Sequence, residues 1–198
     1  MSAAEEHFIF PLGTVLFPGG VLPLKIFEQR YMEMTKTCLR DNRPFGVCLI
    51  KEGREVGDTA VPERVGCLAA IERWDMPQLG VFHLVARGGD RFRLHDAHAA
   101  PNGLLSASIS RLLTDTTSDV MDVPCRDLLK VIIEHVGENK FPAPLSLDDP
   151  QWVSYRLSEI LPLDMRAKQA LLESESTASR FEQLREVLTK EGLISPNG

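Results

Sequence analysis

Along this chain the spacing of apolar residues changes once, near residue 115. Before that point they fall in short runs and alternations broken by glycine and proline, as strands do; after it they recur every three or four residues, as on helices. The segment from Phe8 to Gly13 reads as a first extended stretch. Val15-Leu16-Phe17 then meets Pro18-Gly19-Gly20, which breaks any regular element, and Pro23 confines Val21 to Leu24 to an edge or irregular strand. One helix interrupts this part: Phe27, Tyr31, Met34 and Cys38 share a face over 27–40, and Asn42-Arg43-Pro44 stops it. Residues 45–51, almost all apolar, predict a strand buried on both faces. Strands at 66–74 and 81–87 follow, separated by a turn around Met76-Pro77-Gln78. Gly88-Gly89-Asp90 predicts a hairpin turn. After Pro101-Asn102-Gly103, Leu105, Ala107 and Ile109 alternate with serines. So many short strands favour a closed or half-closed barrel.

Beyond 114–118 the helical period begins. Met121, Cys125, Leu128 or Leu129, Ile132 and Val136 form a stripe between a capping Asp122 and a terminating Gly137. Asp149-Pro150 opens a second helix bearing Val153, Leu157 and Ile160, and Pro162 ends it. Asp164 caps a short third through Leu171 and Leu172; a fourth carries Phe181, Leu184 and Leu188 and ends near Gly192. Short connections predict a small bundle of antiparallel neighbours.

Charge narrows the range of partners. Residues 1–114 hold 13 basic and 13 acidic residues, and residues 115–198 hold 9 and 15, which is the whole net charge of −6. Neither part has the basic excess that phosphate binding rewards, so nucleic acid is not the expected partner. Cys38, Cys48, Cys67 and Cys125 lie in apolar runs without C-x-x-C spacing, which predicts buried free thiols in a reducing compartment. The start of the chain lacks the build of a signal peptide and no stretch is apolar enough to span a membrane, so the expected setting is cytoplasmic, with no membrane partner.

Motifs for catalysis are missing. G-x-x-x-x-G-K-[ST], H-E-x-x-H, G-x-S-x-G and G-x-G-x-x-G do not occur. His95-Asp96-Ala97-His98 is a local histidine cluster, but residues three apart on a strand point to opposite faces. No enzyme, cofactor or metal is expected, and a dispersed catalytic site would need a pocket of converging polar groups.

Two readings compete for Phe17 to Tyr31, the most apolar entry segment. It plugs the barrel and seats the helix after it, or part of it stays uncovered as a groove where an extended peptide docks. Its residues also carry a resemblance. F-P-L-G-T-V-L-F-P-G-G-V-L-P-L-K-I-F-E-Q-R-Y, residues 10–31, resembles the opening of the Lon protease N-terminal, or substrate-binding, domain. Phe45-Gly46-Val47, Gly66-Cys67-Leu68-Ala69, Gly88-Gly89-Asp90-Arg91-Phe92 and Lys168 to Glu173 with Arg180-Phe181 continue the match in order. The resemblance implies an α+β fold: a PUA-like β pseudobarrel with one inserted helix over 1–115, followed by a small C-terminal helical bundle over 116–198. It implies recognition of unfolded or extended polypeptide segments, and similarity to free-standing bacterial Lon-N-like proteins without ATPase or protease modules. The expected function is therefore a non-catalytic, ATP-independent peptide-binding module, an adaptor or holdase, working alone or with a separate ATP-dependent protease. The alternative is a PUA-like module for RNA or a small molecule. Phe17, Pro18, Leu22, Phe27, Tyr31 and Trp74 are the candidate peptide-binding residues.

Overall fold

The computed structural model describes residues 6–57, 59–113 and 120–195. The predicted loop at 114–118 and most of the N-terminal segment read for a leader lie outside the described residues. Two units separate along the chain, Met1–Leu113 and Thr114–Gly198.

The first unit contains β1 (Glu6–Leu12), β2 (Val21–Ile26), α1 (Gln29–Asp41), β3 (Phe45–Glu52), β4 (Val61–Gln78), β5 (Val81–Ala99) and β6 (Leu105–Arg111). Its sheet is mixed: β1 runs parallel to β3, and the other pairings are antiparallel. The strand order is β2-β5-β4-β3-β1-β6, and β5 pairs with β6 as well. Five strands thus close on themselves, and β2 hangs from the first half of β5 outside the ring. The long β5 makes this possible: Phe82 to Arg87 pair with β2, and Phe92 to Ala99 pair with β6.

Gly88 and Gly89 sit inside β5 and make no hairpin, which corrects the sequence reading. Neither needs a positive φ; Gly88 is small because another backbone passes it. A Cβ there would stand 2.2 Å from the Phe17 carbonyl oxygen. That carbonyl belongs to a tight turn in which the Gly20 N–H donates to Phe17 O (2.9 Å), with Pro18 first and Gly19, at φ 73, second. The Gly19 N–H donates to Gly88 O (2.8 Å), and the Gly88 N–H donates to Gly20 O (2.9 Å). Arg87 Nη1 also donates to Gly19 O (3.2 Å). The Phe17-Pro18-Gly19-Gly20 sequence is therefore a turn clamped to β5 that launches β2. The actual β4–β5 turn lies at Leu79-Gly80, where Gly80 takes φ 83.

The helix α1 begins after Glu28, so Phe27 lies outside it, whereas Tyr31, Met34 and Cys38 form its buried face. Glu28 anchors its start: its carbonyl accepts from Tyr31 and Met32 N–H, and its carboxylate pairs with Arg30 (3.0 Å). Asn42 ends it in the left-handed conformation. The core joins Phe10, Tyr31, Met34, Phe45, Phe82 and Leu84, with Phe10 stacked on Tyr31 at 3.9 Å. In β3 the first five residues are buried in succession.

The second unit holds α2 (Val123–Val136), a short 3-10 turn at Glu138–Lys140, α3 (Pro150–Ile160), α4 (Met165–Glu173) and α5 (Thr177–Lys190). Asp122, Asp149 and Asp164 cap helix starts with their carboxylates, and Pro150 sits at the first position of α3. The buried stripe of α2 is Cys125, Leu129 and Ile133; Cys125 and Leu129 are as predicted, but Ile133 takes the place of Ile132, which is half-buried, and Val136 is exposed. Ile160 of α3 is likewise exposed, while Val153 and Leu157 are buried. Asp122 has a second role, pairing with Arg185 of α5 at 3.2 Å. Asp122→Ala is expected to lower the unfolding free energy by about 1 kcal/mol through the lost cap, read from urea denaturation; an unchanged midpoint would show that the cap is replaced by solvent.

Candidate functional site

Among the described residues β2 pairs with β5 alone, so one long edge of this strand is open. Its side chains alternate. Leu22 and Leu24 are half-buried against the core and Ile26 is buried, whereas Val21, Pro23 and Lys25 face outward. Pro23 fits an edge because its ring nitrogen has no hydrogen to give a neighbouring strand.

Two hollows flank the strand. The first, of about 300 Å³, has Leu22, Leu24 and Ile26 on one wall, Phe10, Leu12 and Tyr31 at its base, and Phe27 and Val56 at its mouth. The second, of about 530 Å³, opens over the outer face and is bounded by Pro23, Lys25, Arg73, Trp74, Asp75, His83 and Val85. Pro23, Leu24 and Lys25 border both. Phe27 (53% exposed), Trp74 (55%) and Val56 (58%) are the large uncovered apolar side chains around them. Trp74 leans edge-on against Phe82, ring centres 5.8 Å apart.

Of the candidate residues, Leu22, Phe27 and Tyr31 meet in the first hollow, and Trp74 borders the second. Tyr31 is buried and contributes a wall rather than a rim; burial holds its phenol above the ordinary range, opposed by the Arg30 guanidinium beside it. Phe17 is wholly buried and Pro18 half-buried at the turn, and neither borders either of these two hollows. Within the entry segment, then, the turn is built into the fold, and the strand after it leaves one edge unpaired among the described residues. Pro23, Leu24 and Lys25, outside the six candidates, border both hollows, and the alternation of Leu22 and Leu24 with polar or constrained neighbours is the sequence signal for them.

Chemistry of other kinds finds little footing. The four cysteines are buried and free. Burial pushes the Cys38 thiol up to about 11 and raises Cys48 and Cys125 as well, which keeps them protonated and poorly nucleophilic. His95 meets Ser110 (2.9 Å) and His98 meets Glu6 (3.1 Å), on either side of an irregularity at Asp96, so the two rings serve separate contacts. No helix among the described residues is long and apolar enough to cross a membrane.

The described residues thus form an α+β fold with one strand edge left open beside apolar side chains. Residues 6–190 match the ATP-dependent protease La (LON) substrate-binding domain, and the chain belongs to that family. The crystal structure of a Lon N-terminal domain protein from Xanthomonas campestris superposes with a TM-score of 0.74 at 34% identity, covering 92% of this chain and 98% of that one. The N-terminal domain of Mycobacterium avium complex Lon protease shares the fold, with a TM-score of 0.63 at 15% identity over 93% of this chain and 97% of that one. Lon protease 2 of Myxococcus xanthus is 27% identical over 94% of this chain, which spans only 24% of that protein's length. The chain therefore corresponds to about a quarter of the curated relatives it matches.

Proposed function

We propose that this protein is a non-catalytic polypeptide-binding module, an adaptor or holdase for unfolded segments, which receives an extended chain along β2. The observation that carries the reading is the open edge of β2, with a largely apolar hollow on one side and a hollow of mixed apolar and charged lining on the other. An extended peptide can bond to such an edge through its backbone, independently of sequence, and drop side chains into the flanking pockets. The family membership supports the same reading. The four buried free thiols suit a reducing compartment, which supports a cytoplasmic setting.

Covering a few hundred Å² of apolar surface is worth several kcal/mol at ~25 cal/mol per Å², and ordering an unfolded segment consumes much of it. The expected binding is weak to moderate and tolerant of sequence. Calorimetric titration with reduced, alkylated α-lactalbumin tests this. Trp74→Ala is expected to weaken binding about threefold and Leu24→Asp at least about tenfold, in line with losing one or two apolar contacts. Val131→Asp, on the exposed face of α2, should leave it unchanged. Equal binding by all three folded variants would remove β2 as the site; no binding by the wild type would remove the function.

A further inference from the structure

The backbone of β2 specifies more than an apolar preference. Because the Gly88 N–H bonds to Gly20 O and the register then pairs Leu22 with Ala86, Leu24 with Leu84 and Ile26 with Phe82, the even-numbered residues spend their backbone groups on β5. Val21, Pro23 and Lys25 turn theirs outward. The open edge thus presents three carbonyls but only two N–H groups, at Val21 and Lys25, since Pro23 has none. Side chains of an added strand follow the same alternation: those opposite Leu22 and Leu24 fall toward the first hollow, and the one opposite Lys25 stays on the outer face.

That outer face is cationic beside β2. The register aligns Lys25 with His83 and Asp75 in one row, and Pro23 with Val85 and Arg73 in the next. Lys25 and Arg73 are exposed, and neither forms an ion pair among the described residues. Asp75, in the Lys25 row, accepts a bond from the Met76 N–H; Glu28 and Glu55, which border the first hollow with Lys25, are engaged by Arg30 and the Gly13 N–H.

We infer that the strand edge selects an antiparallel segment of the pattern acidic–apolar–any–apolar, with its acidic residue opposite Lys25 and its two apolar residues opposite Leu24 and Leu22. This rests on the polypeptide-binding reading above and sharpens its substrate class. The antiparallel direction gives the straighter bonds. A second copy of β2 is a poor occupant: symmetric pairing about Pro23 would face two carbonyls with no donor between them.

The test uses fluorescence anisotropy of labelled acetyl-Thr-Glu-Leu-Thr-Leu-Thr-amide with the full chain. Lysine in place of the peptide's glutamate is expected to weaken binding up to about fivefold, the range of a cross-strand charge pair, and Lys25→Glu should reverse the preference. N-methylation of the central threonine, whose amide bonds to the Pro23 carbonyl, should cost about tenfold. N-methylation of either leucine, whose amides point away from β2, should change affinity less than about twofold. Equal sensitivity at all amides, or no reversal with Lys25→Glu, overturns the pattern even where α-lactalbumin still binds. Self-association that the peptide cannot compete away overturns it in favour of a second copy. Loss of α-lactalbumin binding as well would instead take down the broader reading.

Discussion

Gly88→Val should destabilise the protein by about 3 kcal/mol or more, the upper range for inserting atoms where no space exists. The added Cβ would overlap the Phe17 carbonyl oxygen at 2.2 Å and press on Cys67 Sγ at 3.2 Å. Retreat is difficult, because Phe17 is fully buried and its carbonyl already holds the turn through the Gly20 N–H. The neighbouring glycine supplies the control. A Cβ on Gly89 meets Leu68 O at 3.6 Å, an ordinary contact, so Gly89→Ala should cost less than about 1 kcal/mol. The two costs are compared by urea denaturation at constant slope. Because Gly88 clamps the turn that launches β2, the valine variant should also bind α-lactalbumin more weakly under conditions where it is still folded. Equal stability for both variants would show that the turn can lift from β5, and the account of how β2 is positioned would fail.

That glycine also shows where sequence reading stops. A Gly-Gly pair announces that side chains are excluded, without saying whether the reason is a positive φ or a passing backbone. The backbone that passes Gly88 comes from Phe17, some seventy residues earlier. Signals acting within one helical turn were legible: the aspartate caps at 122, 149 and 164, the stop at Gly137 (φ 94), and the proline that opens α3. So were the edge character of β2, from Pro23, and the alternation in β6. Phe27 was assigned to a helix because its spacing to Tyr31 is right, but Glu28 holds the extended conformation before α1 starts. The candidate site was half legible for the same reason. Local apolarity pointed to Leu22 and Phe27, whereas the second hollow exists only because β2 lies beside β5 and β5 beside β4, bringing Pro23 near Arg73 and Trp74.

Within the helical unit, the largest expected effect belongs to Arg180, which is 0% exposed. From α5, its Nε donates to the Leu171 carbonyl of α4 (2.9 Å), Nη1 to Ser154 Oγ (3.1 Å) and Nη2 to the Tyr155 hydroxyl (3.3 Å), both on α3. The guanidinium also lies 4.0 Å from the centre of the Tyr155 ring. One planar cation thereby ties three helices together. Methionine could fill much of the same volume, and where a buried ion and its partner are replaced together such a swap is often harmless. Here only the cation would go, stripping its donors from a buried carbonyl and two buried hydroxyl-bearing residues. Arg180→Met should therefore cost about 3 kcal/mol, the sum of the stranded acceptors, and lower the melting temperature by roughly 6–12 °C for a chain of this size. Lysine should rescue little, because a single ammonium cannot reach three directions set by a rigid fork. A methionine variant that melts with the wild type would show that packing, and not the fan of hydrogen bonds, secures α5 against α3 and α4.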